Sequence, residues 1–459
     1  MLRLQYAALA SIPLLSGCAL LEEDGGGDGP PNVVLVFTDD QGYGDLSCYG
    51  HPTIHTPHLD RMAAEGAKLT QFYVGSPVCS PSRAALLTGC YPKRIGMERH
   101  VVFPADDWGL NPDEVTLAEL LRERGYATGI FGKWHLGHRP GLLPLDQGFD
   151  RWFGVPYSND MAQFHRKPDT KYQFRLPLMR DREVIAWEPD QHFLTKECTE
   201  EAVAFIEEHR DEPFFVYLPH SMPHIPIYAS PDFEGGSPRG LYGDVIEEID
   251  WSVGQVLAAL ERVGVLDDTL VIFATDNGPW KQFKAEGGSA GPLRGGKGTN
   301  WEGGQRVPCI VRYPRLVPAG AVRREVVTAM DVLPTVAALT GAALPTDRTL
   351  DGESMLPVLT GEGELRGERT FLYYKSNGPL AGIRRGPWKL LLKKEADQLF
   401  HLEHDISEAR DVAEKHPELA AELRALAEEL DGRIEAEARP RGQVQEVLFD
   451  PRRPEAATE

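Results

Sequence analysis

The sequence has no uninterrupted apolar run of the roughly 20 residues that a membrane-crossing helix needs, no internal repeat and no C-x-x-C pair. The missing repeat removes solenoid and propeller architectures. The missing C-x-x-C removes the usual spacing of a structural zinc site. Basic residues are also scarce, with 48 Lys and Arg against 69 Asp and Glu and a net charge of −21. Such a chain is poorly suited to neutralise a phosphate backbone, so no nucleic-acid partner is expected. An anionic small substrate is not excluded, because bulk charge reaches only about 8 Å at physiological salt. A local cluster of Arg, Lys and metal can dominate a pocket. Cysteines number six, and for Cys48, Cys90, Cys198 and Cys309 the expectation is buried free thiols.

The N-terminus reads as an address. Arg3 is a short basic region, Tyr6 to Leu15 an apolar one, and Leu15-Ser16-Gly17-Cys18 resembles a bacterial lipobox. That implies a lipoprotein signal over residues 1–17, lipid on Cys18 as membrane anchor, and an exported location in the periplasm, the outer membrane or the cell surface. Residues 18–31 are acidic and Gly-rich, which suits a flexible tether.

Beyond residue 31 the chain alternates between buried strands and helices. Asn32 to Phe37, Tyr126 to Phe131, Phe214 to Leu218, Leu270 to Ala274 and Cys309 to Tyr313 are apolar, β-branched or aromatic runs, the pattern of strands covered on both faces. Between them fall His58 to Gly66, a segment with Ser80 as cap and Pro81 as first helical residue, Val115 to Arg124, and the amphipathic Leu241 to Val263. This predicts an α/β fold, a doubly wound, mostly parallel sheet, over residues 32–359. From 360 to 440 the runs shorten, and four strands with a helix from Pro417 to about Gly432 predict a smaller antiparallel sheet crossed by a helix. Residues 441–459 read as a disordered tail.

Two acidic clusters come directly after predicted strands: Asp39-Asp40 and Asp276-Asn277. Ligands of open α/β sheets bind at the carboxyl ends of strands, and oxygen donors suit a hard cation such as calcium. By themselves, such residues are often only turn or cap residues. Cys79-Ser80-Pro81-Ser82-Arg83 is sharper. A cysteine at a helix N-terminus, one turn from an arginine, sits where backbone N–H groups favour an anion. A tyrosine-phosphatase loop would need five residues between Cys and Arg, and here there are three.

The stretch Cys79 to Gly89, Cys-Ser-Pro-Ser-Arg-Ala-Ala-Leu-Leu-Thr-Gly, resembles the signature of the formylglycine-dependent (type I) sulfatase family, within the alkaline-phosphatase-like superfamily. Gly125 to His135 resembles the second family signature, departing at Phe131, where a smaller residue is usual. Asp39 to Asp45, Pro156 to Asp160, Leu293 to Gly298 and Glu302 to Gly304 are similar to further family segments in family order. The resemblance implies an arylsulfatase-like sulfuric ester hydrolase acting on sulfated small molecules or glycans. It implies that a formylglycine-generating enzyme oxidises Cys79 to formylglycine, whose hydrate attacks sulfur with one hydroxyl and expels sulfate with the other. It implies Ca2+ held by Asp39, Asp40, Asp276, Asn277 and the modified residue 79. Asp276 is then to take the attacking proton, Arg83 and Lys133 to neutralise charge, and His135 to be the base of the collapse step. Ser158 is to hydrogen-bond the diol, and His224 and Lys297 to face the leaving group, with His220 the nearest competitor for His224. Lys133 and His135, two apart, share a face if their stretch is extended. The rival readings are a phosphonate or phosphate ester hydrolase of the same superfamily and an inactive glycan-binding surface lipoprotein.

Overall fold

The computed structural model of the chain describes residues 29–161 and 174–452, apart from residues 364 and 366. The signal segment, most of the tether and the last seven residues lie outside the described residues.

Asn32–Thr38 forms the strand its apolar run predicts, buried throughout. It pairs in parallel with Phe214–Leu218 on one side and with Thr269–Thr275 on the other. Ala127–Phe131 and then Arg151–Gly154 continue the parallel set. Antiparallel strands finish both sides, Arg306–Arg312 against Thr269–Thr275 and Pro177–Arg180 against Arg151–Gly154. Among the described residues the sheet has eleven strands and a mostly parallel centre.

Side chains alternate across the pleat, so the central strand serves two cores. Val33, Leu35 and Phe37 pack with Cys79–Thr88, Leu117–Glu123 and Val332–Thr340. Val34 and Val36 pack with Pro57–Glu65, Leu194–Glu208 and Leu241–Arg262. Full burial of each such side chain stabilises by about 1.5–3 kcal/mol, which is why a run of five fixes the sheet's centre. Phe131, the departure from the family pattern, is buried against Phe205 at 5.5 Å. Its ring uses the space left by Gly129, where a Cβ would lie 2.8 Å from it.

The second sheet is antiparallel and keeps chain order: Thr370–Tyr374, Leu380–Arg385, Trp388–Leu391 and Gln398–His401. The helix Pro417–Ala436 lays Leu423, Ala427 and Ile434 on Leu372, Ile383 and Leu390. It continues four residues past Gly432, because an isolated glycine weakens a helix by only about 1 kcal/mol and the apolar stripe extends to Ile434. The expected disordered tail is corrected in its first part. Gly442–Gln443 pairs with Trp108–Gly109, and Arg441 lies over the Trp108 ring at 4.6 Å. Charge and proline content suggested a disordered tail, but Trp108 supplies a face for its start. All five described cysteines, Cys48, Cys79, Cys90, Cys198 and Cys309, are free thiols.

Candidate active site

The site is assembled where parallel strands end. Thr38 and Thr275 are paired in register, so the residues after them emerge side by side. Asp276 N donates to Thr38 O at 3.1 Å, and Asp40 N donates to Asp276 Oδ1 at 3.2 Å. Asp40 takes a left-handed backbone (φ 64°), which turns it back over the strand ends. Asn277 Nδ2 then donates to Asp40 Oδ1 at 2.7 Å. The two sequence clusters, 236 residues apart, become one buried group of oxygens.

Cys79 faces that group. The helix begins at Cys79 itself rather than after Ser80, with Val78 as N-cap, so Pro81 is its third residue. Ser80 Oγ is not a cap; it accepts from Val102 N at 3.0 Å. The Cys79 thiol donates to Asp39 Oδ1 at 3.3 Å and lies 3.6 Å from Lys297 Nζ. Burial and then the nearby Asp39 carboxylate push its pKa well up, so the unmodified thiol stays protonated.

Arg83, fully buried, grips Asp276 Oδ2 through Nε at 3.0 Å and Nη2 at 2.8 Å, with Nη2 also 3.2 Å from Asp39 Oδ2. Lys133 Nζ closes on the same Asp39 oxygen. Burial tends to raise the Asp39 carboxyl, but Lys133, His224, Arg83 and Lys297 overcome it and hold it well below the carboxylate range. Asp276 goes the other way, raised to about 7 by burial and by Asp39.

Lys133 and His135 do not lie on one extended stretch. The chain turns at Gly132 (φ 139°) and again at His135 (φ 61°), so both reach the site from a loop. His135 Nε2 lies 3.1 Å from Val102 O. A carbonyl only accepts, so Nε2 carries the hydrogen and Nδ1, buried with no hydrogen-bond partner among the described residues, keeps its lone pair. Burial and then Lys133 depress its pKa well below 6.5, which keeps the ring neutral. The neighbouring loop holds Ser158, whose buried Oγ has no hydrogen-bond partner among the described residues.

His224 and Lys297 occupy the remaining side. Lys297 Nζ lies 2.8 Å from Asp40, and His224 Nε2 lies 3.6 Å from the same carboxylate. His224 Nδ1 donates to Ile225 O at 2.6 Å, which directs Nε2 into the site. His220, the competitor, points elsewhere: its Nε2 bonds Ser252 Oγ at 3.0 Å on the long helix. The expected residues other than Ser158 are therefore buried or half-buried around Cys79. Sequence reasoning passed over Trp280, which adjoins both His224 and Lys297. Its only sequence signal is its place directly after Asp276-Asn277-Gly278-Pro279.

Comparison with known proteins places this site. Residues 31–342 match the family model Sulfatase, and residues 296–436 match the model N-sulphoglucosamine sulphohydrolase, C-terminal. The chain is 39% identical to steryl-sulfatase of Mus musculus over 77% of this chain and 69% of that protein. It is 41% identical to arylsulfatase A of Homo sapiens over 78% of this chain and 74% of that protein. A crystal structure of a sulfatase from Pseudoalteromonas sp. superposes with a TM-score of 0.80 at 27% identity, covering 90% of this chain and 92% of that one.

The expectation of an exported bacterial lipoprotein anchored through Cys18 is corrected by these relatives. The curated ones are mammalian sulfatases, not bacterial lipoproteins. Cys18 itself lies outside the described residues, among which no helix is long and apolar enough to cross a membrane. A Cys-x-Pro-Ser-Arg helix start ringed by paired carboxylates, two lysines and two histidines, on a sheet that superposes with a known sulfatase, leads to one assignment: the chain belongs to the sulfatase family and is a sulfuric ester hydrolase.

Proposed function

We propose that the protein hydrolyses sulfate monoesters of small alcohols, phenols or glycans with residue 79 in its formylglycine form and a bound calcium ion. The observation that carries this reading is the convergence on Cys79 of an oxygen-rich pocket and five basic side chains, Arg83, Lys133, His135, His224 and Lys297. The pocket fits the cation. Asp39, Asp40, Cys79 and His224 offer ligand atoms within 4.8 Å of one another, and Asn277 Oδ1 is buried without a hydrogen-bond partner among the described residues. Asp39, Asp40, Asp276 and Asn277 would hold calcium together with residue 79, since hard oxygens suit that ion. Bound there, calcium supplies charge that polarises a sulfate oxygen, and the hydrated aldehyde supplies the attacking hydroxyl.

The chain's own residues do the rest. Arg83 and Lys133 hold charge that offsets the sulfate oxygens, locked by Asp39 and Asp276 so that little reorganisation is needed. Asp276 takes the proton of the attacking hydroxyl. Lys297 Nζ and His224 Nε2 face the departing oxygen, where one of them delivers a proton as the S–O bond breaks. His135 Nδ1, with a free lone pair, takes the proton in the later step that releases sulfate. Ser158 Oγ orients residue 79 by a hydrogen bond.

Mass spectrometry of the peptide containing residue 79 tests the reading, in active protein made alongside a formylglycine-generating enzyme. An aldehyde is expected, with calcium in the same preparation. Fully active protein carrying only a thiol overturns it.

A further inference from the structure

Trp280 ends the run that begins with the Asp276-Asn277 pair, and its half-buried indole stands beside the two residues assigned to the leaving oxygen. Lys297 Nζ lies 4.3 Å from the centre of its ring. The imidazole of His224 packs against it at 5.4 Å, tilted by 56°. Phe283 meets it edge-on at 4.7 Å and backs it. Lys297 N donates to Pro279 O at 3.0 Å, so the lysine backbone is tied to the residue just before the tryptophan. The residues on the sulfate side are held differently, by ion pairs of Arg83 and Lys133 with Asp39 and Asp276.

We propose that Trp280 is the positioning residue of the leaving-group side, fixing the Lys297 ammonium and the His224 ring toward the departing oxygen. The proposal rests on the proposed function, in which those two residues serve that oxygen. A lysine carries four flexible methylenes and a point charge. Its ion pair with Asp40 fixes a distance but leaves the ammonium free to swing about the carboxylate. An aromatic face within about 6 Å attracts the cation through the ring quadrupole and adds a second fixed point. The same ring blocks rotation of His224, whose other nitrogen is already bound to Ile225 O. Trp280 thus orders groups that act in the chemical step without itself touching the reacting atoms.

The test uses fully modified protein, two substrates and two variants. Trp280→Leu keeps apolar bulk and removes the π face; Trp280→Phe keeps a smaller π face. Trp280→Leu is expected to lose about 10- to 100-fold in kcat on a sugar sulfate, since a small misplacement of a catalytic group costs up to about 10²-fold. It should lose little on nitrophenyl sulfate, whose leaving group needs no proton. KM should move far less than kcat, and Trp280→Phe should recover most of the loss. Added to Lys297→Ala, Trp280→Leu should cost less than it does alone. Equal losses on the two substrates, or full additivity with Lys297→Ala, overturns the role of Trp280. If Lys297→Ala and His224→Ala both lose equally on the two substrates, the leaving-group reading fails first and Trp280 falls with it. If they discriminate and Trp280→Leu does not, Trp280 alone is refuted.

Discussion

Two of the buried clusters of charge in this protein are wired in opposite ways. The first surrounds Cys79. The second joins the large sheet to the small one and centres on Glu302, which is fully buried. Glu302 Oε1 accepts from Tyr373 at 2.8 Å and from Lys389 Nζ at 3.0 Å, while Oε2 accepts from Tyr73 and lies 3.5 Å from Arg306. Lys389 also pairs with Glu408 at 2.8 Å, and Glu408 Oε2 accepts from Glu302 N at 2.7 Å. Both Glu302 oxygens are thus engaged by protein groups from both sheets. Around Cys79, by contrast, Asn277 Oδ1 and His135 Nδ1 are buried and have no hydrogen-bond partner among the described residues. Buried charge by itself does not mark a catalytic centre. At the joint the central Glu302 carboxylate is filled by protein groups, whereas at the Cys79 cluster polar capacity is left where a ligand would bind.

That contrast can be broken most directly from the catalytic side. Asp39 meets Cys79, Arg83 and Lys133 at once. Asp39→Ala should lower kcat/KM by at least about 10³-fold, on the scale of losing a preorganised charge. Calcium should be lost with it. Activity that survives both the substitution and chelation would break the distinction between the clusters.

On the joint side, Lys389→Met should act on stability instead. Removing one partner of a buried ion pair typically destabilises by about 3–5 kcal/mol. The midpoint of chemical denaturation should fall accordingly, while kcat of the folded fraction stays near that of the parent. A large loss of kcat with unchanged stability would show that the joint takes part in catalysis.

Within the site, the comparison sharpens further. A sugar alkoxide is a poor leaving group and a nitrophenolate a good one, so a general acid contributes up to about 10²–10⁴-fold only for the former. His224→Ala should therefore lose about 10²-fold more on a sugar sulfate than on nitrophenyl sulfate, measured as kcat/KM. Equal losses would make His224 a sulfate-binding residue.

The smallest expected effect is the pH dependence of the joint. Burial tends to raise the Glu302 carboxyl, but Lys389, Arg384 and Arg306 overcome it and hold it well below the usual range. The folded state then binds fewer protons than the unfolded one. The stabilisation is full above the unfolded carboxyl pKa of about 4.3 and is lost as pH falls below it. Glu302→Gln should flatten the decline of the denaturation midpoint between about pH 5 and pH 3. An unchanged slope would mean that other carboxyls set the acid limit.

The central strands were legible because Asn32–Thr38 and Phe214–Leu218 are apolar at nearly every residue, and burial on both faces demands that. The helix at Cys79 was legible as well, but its start was misplaced, because a serine before a proline imitates a cap. The end of the last helix and the docking of residues 441–443 were missed for a related reason: Gly432 and the charged tail look like a stop, and only Ile434 and Trp108 show what holds them.

At the site, the run Cys79-Ser80-Pro81-Ser82-Arg83 was legible through its resemblance to a family signature, and the Asp39-Asp40 and Asp276-Asn277 pairs, which by themselves fit turns and caps equally well, gained meaning only in its company. Tertiary structure alone shows how the environments of His224 and His220 differ, since the two are four residues apart in one loop and chemically identical. One bonds Ser252 on the long helix, and the other reaches Asp40. It alone showed that Glu302 belongs to a joint, through Lys389, 87 residues away, and that Trp280 adjoins Lys297. Those roles depend on distances across the folded chain, and residue order along one segment does not encode them.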